Sequence, residues 1–286
     1  MSGNRFDKGS VEISWCPGCG NFHILEALKD TFESLKLDPV DLVIVSGIGQ
    51  AGKTPHYLKC NMFNGLHGRS LPLATAVKAA NPRLTVVAQG GDGDMYGEGG
   101  NHLLHAIRRN PDITVIVHNN MVYGLTKGQA SPTSARGFTT GLQVHGVASE
   151  PFNPLAMAIS LNASLVARTF TGDREGTSRV LAAAIRHRGF ALVDILQPCV
   201  TFNKVNTYQW FKDRIQPIPD SHDTSDRMKA LELAFMTETL PVGVLFVNED
   251  KPTFEEILPV YDSSDEPLYN RGMNREELKA LIETLR

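Results

Sequence analysis

The chain has 286 residues, enough to bury the core of one large α/β domain or of one domain with an extension. Its net charge of -3 and pI near 6.3, with no Lys/Arg cluster along one helix face, exclude an electrostatic footprint for nucleic acid. No run of eighteen apolar residues can span a bilayer, and "MSGNRFDKGSVEIS" carries no apolar secretion core, so the expectation is a cytoplasmic protein with no membrane partner.

In chain order, Phe22, Leu25, Leu28, Phe32 and Leu35 recur at helical spacing and predict a helix over 21–35. "DLVIVSGIG" (41–49) reads as a buried strand entering a glycine turn; a Gly- and His-containing loop follows. "SLPLATAVKAANP" reads as a helix stopped at Asn81-Pro82, and "RLTVVAQGGDGD" as the next buried strand. The alternation continues with "EGGNHLLHAIRRN" as helix, "ITVIVHNN" as strand, "NPLAMAISLNA" as helix, "SLVARTF" as strand, "TSRVLAAAIRHRG" as helix and "FALVDILQPC" as strand. Near-continuous apolar strands separated by helices imply a parallel sheet covered on both faces, an open doubly wound α/β fold. Such sheets bind ligands beyond the carboxyl ends of their strands. Residues 1–212 are expected to form this domain. Residues 213–286, with a helix in "SDRMKALELAFMTETL", a strand in "VGVLFV" and a final helix from Asn274, read as a C-terminal extension or arm.

The motifs fall at those strand ends. "WCPGCG" (15–20) sets two thiols three apart, a spacing open to a disulfide, zinc, an iron–sulfur cluster or a redox dithiol. With only Cys60 and Cys199 elsewhere, a disulfide framework is disfavoured, and four thiols are what closed zinc or cubane sites require. "GGDGDMYGEGGNHLL" (90–104) places glycines and Asp92 between a strand end and a helix start. Backbone N–H groups there favour a phosphate, and the carboxylate offers a hard oxygen to Mg²⁺. Alone, Gly-Asp-Gly also makes an ordinary turn. In "HNNMVYGLTKGQ" (118–129) the Asn120 side chain and the Val122 carbonyl supply further oxygens for the same Mg²⁺.

Gly-Asp-Gly, a strand-helix-strand interval and then Asn-Asn resemble the diphosphate motif of thiamine diphosphate enzymes. With "CPGCG", "GLHGRSLPLATAVKAANP", "GDGDMYGEGGNHLLHAIRRN" and "NNMVYGLTKGQASPTS", residues 11–210 more closely resemble the beta subunit of 2-oxoacid:ferredoxin oxidoreductases, most of all its 2-oxoglutarate branch. That resemblance implies interconversion of a 2-oxoacid and CoA with acyl-CoA and CO2, using thiamine diphosphate, Mg²⁺ and a 4Fe-4S cluster that passes electrons to ferredoxin. It implies cofactor contacts from Gly49, His67, Gly91, Asp92, Gly93, Asp94, Asn120, Val122, Gly124 and Leu125, with Asp92, Asn120 and Val122 on Mg²⁺. His67 and Lys127 are the implied catalytic or substrate-facing groups, with Lys53 a weaker candidate. Their plain alternatives are a hydrogen-bonded histidine and solvated lysines.

By the same resemblance Cys16, Cys19 and Cys199 are cluster ligands. Many relatives carry another cysteine immediately after Gly-Ile-Gly, where this chain has Gln50, so Cys60, in the polar stretch "YLKCNMFNG", is assigned as the substitute; a lone buried cysteine is its alternative. Trp15 and Phe22 are expected to cover apolar surface around the thiols. The resemblance further implies a larger alpha partner, commonly in a dimer of heterodimers. The rival readings are a non-redox thiamine decarboxylase or carboligase with structural zinc, and a non-enzymatic electron carrier.

Overall fold

The computed structural model describes residues 4–285. Helix α1 (Asn21–Ser34) leads into β1 (Leu42–Ser46); a 3-10 helix (Ala51–Tyr57) then precedes β2 (Asn61–Asn64) and α2 (Ser70–Ala80). β3 (Thr85–Gly91) passes through a π-helical turn (Gly93–Glu98) into α3 (Gly100–Arg109), followed by β4 (Thr114–Asn119). After a long loop come α4 (Pro154–Ser160), β5 (Leu165–Phe170), α5 (Arg174–Arg186) and β6 (Ala191–Leu196). The chain closes with α6 (Tyr208–Lys212), β7 (Ile215–Pro217), α7 (Arg227–Phe235), β8 (Leu240–Val247) and α8 (Arg275–Thr284).

One eight-stranded sheet results, in the order β2-β1-β3-β4-β6-β5-β8-β7. Every pairing is parallel except that of β8 with β5. Alternation of side chains along each strand separates two cores. Val43, Val45, Val86, Ala88, Val115 and Val117 face one side, where α2, α3, α4 and α7 pack; Leu42, Ile44, Val87 and Ile116 face the other, beneath α1 and α5. The doubly wound reading of the sequence therefore holds. The stretch around Cys60, read as a loop, instead enters β2, a fully exposed edge strand whose polar ends hid it from any apolar pattern. Beyond Lys212 the chain adds β7 and β8 to the same sheet and α7 to its face. The helix predicted up to Leu240 stops at Phe235, leaving β8 to start at Leu240. α8 buries no residue; its Leu278, Leu281 and Ile282, and Leu285 just after it, stand exposed. Among the described residues no helix is long and apolar enough to cross a membrane.

At the carboxyl end of the central strands a buried polar knot fixes the strand ends in register. Asp194 of β6, fully buried, accepts hydrogen bonds from Tyr96 Oη (2.8 Å) and Asn119 Nδ2 (3.1 Å), and Arg168 Nε of β5 lies 3.5 Å away. Removing the carboxylate would leave a buried guanidinium uncompensated, at a cost of about 3 kcal/mol. Asp194→Ala should therefore lower the urea unfolding free energy by about that amount. A loss of less than about 1 kcal/mol would show that Arg168 is solvated without it.

Candidate functional site

The carboxyl ends of β1, β3 and β4 border a cleft. Its floor is glycine-rich, with Gly49 at φ +112°, a conformation few other residues adopt. Gly93 is required for a different reason: a Cβ there would lie 2.3 Å from the ring of Tyr123. The Tyr123 hydroxyl donates to the Gly93 carbonyl at 3.3 Å, so the turn after β4 is clamped onto the turn after β3.

Asp92 lies at the centre of this clamp, 1% exposed. Its Oδ2 accepts from Ser131 Oγ (2.5 Å) and Thr133 Oγ1 (2.7 Å), and the backbone N–H of Asn120 also favours its charge. Burial outweighs these donors and pushes its carboxyl up to about 6. Asn120 and Val122 line the same cleft, with Asn120 Oδ1 accepting the Val122 amide at 3.1 Å in a tight side-chain turn. Asp92, Asn120 and Val122, named from the sequence as metal ligands, are thus brought together.

The other expected residues divide. Gly49, Gly91, Gly93, Asp94, Gly124, Leu125 and His67 all line the cleft. Asp94 Oδ1 accepts the amides of Gly68 (2.8 Å) and Ile48 (3.2 Å), tying the turns after β1, β2 and β3 together, while its buried Oδ2 has no partner among the described residues. The ligand atoms of His67, Asp94 and Glu98 lie within 4.8 Å of one another, with His67 and Glu98 exposed at the mouth. Lys127 is exposed at φ +75° on the turn beyond Thr126 and does not line the cleft. Lys53 reaches Ser14 Oγ at 3.3 Å on the surface.

Against this cleft lies a second pocket, lined by Cys16, Cys19 and Cys199 with Trp15, Gln50 and Gln197. Asn21, Gln50, Asn120 and Gly124 border both cavities and form their common wall. Cys16 and Cys19 sit on the turn before α1, where the Cys19 amide donates to the Cys16 carbonyl at 3.0 Å. Cys199 follows β6 and accepts the Phe202 amide at 3.4 Å. Burial raises the Cys19 thiol, and charges on Cys199 and Cys16 raise it further. Gln197 Nε2 donates to Cys19 Sγ at 3.6 Å. Trp15 stacks edge-on against Phe22 (5.3 Å) and Tyr57 (4.8 Å), forming the apolar cover expected of it. Cys60 is not brought to this pocket. It precedes β2, and burial pushes its thiol up to about 11, with Lys8 as the charge acting on it.

Sequence reasoning missed Ser131 and Thr133, which hold Asp92, and Tyr123, Glu98 and Asn21. Ser131 and Thr133 stood in "NNMVYGLTKGQASPTS", yet no spacing rule tells which hydroxyl of a loop will fold back 39 to 41 residues to a carboxylate. Asn21 was hidden because its role comes from a long-range partner. His118 Nδ1 donates to Asn21 Oδ1 at 2.7 Å, and Gln89 contacts His118 Nε2 at 2.6 Å; burial lowers this imidazole to about 3, so it stays neutral.

The fold and cleft define a thiamine diphosphate-binding domain. The family model described as "Thiamine pyrophosphate enzyme, C-terminal TPP binding domain" matches residues 46–195. A second family model, that of the C-terminal part of the pyruvate ferredoxin oxidoreductase beta subunit, matches residues 199–263. The "2-oxoacid:ferredoxin oxidoreductase 1, subunit beta" of Aeropyrum pernix is 43% identical over 96% of this chain and 91% of its own. The "2-oxoglutarate oxidoreductase subunit KorB" of Mycobacterium tuberculosis is 45% identical over 67% of this chain and 52% of its own. A solved 2-oxoglutarate:ferredoxin oxidoreductase from Magnetococcus marinus, with 2-oxoglutarate, coenzyme A and succinyl-CoA bound, superposes with a TM-score of 0.90 at 36% identity, covering 96% of this chain and 94% of that one. The chain belongs to the beta subunits of the 2-oxoacid:ferredoxin oxidoreductases, thiamine diphosphate-dependent enzymes.

Asp92 carries a pH signature. Because its folded carboxyl titrates near 6, above the ordinary 3.8, the native state holds the proton more tightly than the unfolded chain does. Its contribution to stability is present at low pH and is lost as pH rises through about 6, to an extent of about 3 kcal/mol. Asp92→Asn should therefore raise the melting temperature of the cofactor- and metal-free chain at pH 7, and the gain should shrink towards pH 5. A variant equally or more destabilised at pH 7 than at pH 5 would contradict the burial argument.

Proposed function

We propose that this chain is the beta subunit of a 2-oxoglutarate:ferredoxin oxidoreductase, holding thiamine diphosphate and Mg²⁺ in the first cleft and an iron–sulfur cluster in the thiol pocket. One observation carries the reading: the cleft presents the carboxylates of Asp92, Asp94 and Glu98 and no lysine or arginine. An anionic diphosphate enters such a cleft only with a divalent cation, and Asp92, Asn120 and the Val122 carbonyl are the oxygens placed to hold it. Glycine amides of the turn after β3 serve the phosphates.

Bound there, thiamine diphosphate supplies the electron sink for loss of CO2 from a 2-oxoacid. The protein's own residues do the rest. Asp92, kept in place by Ser131 and Thr133, fixes the metal; the Tyr123 clamp fixes the turn that carries Gly124 and Leu125 over the cleft. His67, with Asp94 and Glu98 at the mouth, is the group placed to hold or move a proton, and the exposed ammonium of Lys127 on the adjoining turn meets the anionic substrate or CoA.

The thiols support iron–sulfur chemistry over zinc. Thiolates at about 2.3 Å from one zinc stand about 3.8 Å apart. Among the described residues no three thiols lie within 4.8 Å of one another. A cubane spreads its ligands over separate iron corners, and the buried amide oxygen of Gln50, on the wall of this pocket, has no hydrogen-bond partner among the described residues. A cluster across the common wall would stand beside the reacting cofactor, a neighbourhood that suits an electron acceptor and that a structural metal would not need.

The names of the relatives as beta subunits support an alpha-subunit partner. The exposed apolar side of α8, and Met62, Phe63 and Leu66 at the β2 edge, are surfaces suited to such a partner. Ferredoxin is the outside electron acceptor, a dimer of heterodimers the assembly and the cytoplasm the location.

Two outcomes are expected. Asp92→Ala should lose thiamine diphosphate from the purified complex while visible absorbance from the cluster stays; cofactor retained at normal affinity would contradict the metal assignment. In an anaerobic assay with CoA and a viologen dye, the complex should reduce the dye faster with 2-oxoglutarate than with pyruvate, and the chain without its partner should be inactive. A faster rate with pyruvate would overturn the substrate assignment.

A further inference from the structure

The thiol pocket contains three sulfurs and an orphaned amide where a closed cluster site needs four donors. Cys16, Cys19 and Cys199 are the thiols that line it, and Gln50 stands on the same wall. Gln50 Oε1 is buried without a hydrogen-bond partner, a condition that costs about 1–3 kcal/mol unless something entering the pocket satisfies it. Gln197, only 1% exposed, also lines the pocket, but its side chain is engaged elsewhere, acting on both Cys19 and the buried His118. The amide of Gln197 is already engaged, since its Nε2 donates to Cys19 Sγ and its stem packs where a Cβ on Gly20 would lie 2.6 Å away. Gln50 is the free one.

The backbone that carries Gln50 is tied to the cysteine turn. Trp15 Nε1, one residue before Cys16, donates to the Gln50 carbonyl at 2.9 Å, and Gln50 caps the 3-10 helix Ala51–Tyr57. Cys60 follows the C-terminal end of that helix, immediately before β2, and does not line the pocket. Its neighbourhood is fastened to the N-terminal segment, through the bridge between Asp7 and Leu58 and the Lys59 amide donating to Phe6 at 2.8 Å. Its packing is against the apolar core beneath α1.

Resting on the reading of this pocket as an iron–sulfur site, we propose that the cluster is held by Cys16, Cys19 and Cys199 and that the amide oxygen of Gln50 occupies the fourth iron, with Cys60 a packing residue. A neutral, hard oxygen binds iron more weakly than a thiolate does. The fourth corner is therefore the exchangeable one. It also removes one negative charge from the cluster, which shifts its potential upward relative to a four-thiolate site.

The test uses the complex with its partner subunit, in wild type, Cys60→Ala and Gln50→Cys, with Cys16→Ala/Cys19→Ala as the baseline that lacks this cluster. Iron is counted and electron paramagnetic resonance recorded before and after mild anaerobic oxidation with ferricyanide. Wild type and Cys60→Ala should each lose about one iron in four as Fe²⁺ and develop the signal of an oxidised 3Fe-4S cluster, whereas Gln50→Cys should retain its iron and suppress that signal. Loss or spectral change of the cluster in Cys60→Ala overturns the proposal. So does a wild-type cluster that resists oxidation as well as Gln50→Cys does. Wild type and baseline with equal iron would instead overturn the cluster reading itself, an outcome distinct from the other two.

Discussion

The carboxylate of Asp92 is buried at the end of β3, and no lysine or arginine lines the cleft it faces. Much of the site follows from keeping that charge in place. Ser131 and Thr133 fold back from the loop after β4 to donate to it, so the long segment between β4 and α4 is anchored at the one point where cofactor chemistry needs rigidity. Thr133 also contacts Asn119 at 2.9 Å, and Asn119 in turn reaches Asp194, so the carboxylate joins the polar knot that ties β4, β5 and β6. Hydroxyl donors soften the desolvation of a carboxylate without neutralising it. What remains is a carboxylate that a cation entering the cleft would compensate, as the proposed function requires.

The same strand ends set the two cavities side by side. β4 pairs with β3 on one side and β6 on the other, so Asn120, after β4, falls between the turn of Asp92 and the segment of Cys199. Asn21, first residue of α1, completes the wall from the other face of the sheet, held by the neutral His118 and Gln89. Each member of this wall touches both pockets, and none is a flexible surface group. Preorganisation of that kind would fix the separation of groups bound in the two cavities.

Most of this architecture was legible in the amino-acid sequence, because parallel strands buried on both faces read as unbroken apolar runs and their ends are marked by glycine. Asp92, Asn120 and Val122 were readable for the same reason, since each lies within a few residues of a strand end. Cys60 was not. Counting thiols treats cysteines as interchangeable, whereas Cys16, Cys19 and Cys199 line the pocket and Cys60 does not. β2 escaped because an edge strand with exposed side chains has no apolar signature, and the boundary between α7 and β8 because "AFMTETLP" suits either state until tertiary packing decides. Ser131, Thr133 and Asn21 act through long-range hydrogen bonds, for which sequence carries no period.

The central claim is that the metal–diphosphate cleft and the thiol pocket are adjoining halves of one redox centre. The most direct measurement replaces Mg²⁺ by paramagnetic Mn²⁺ in the complex loaded with thiamine diphosphate. The electron spin relaxation of the reduced cluster is then recorded, taking the signal that Cys16→Ala/Cys19→Ala abolishes. A shared wall predicts markedly faster relaxation with Mn²⁺ than with Mg²⁺, and loss of that enhancement when Asp92 is replaced by Ala. Identical relaxation with the two metals, at full Mn²⁺ occupancy, would contradict it.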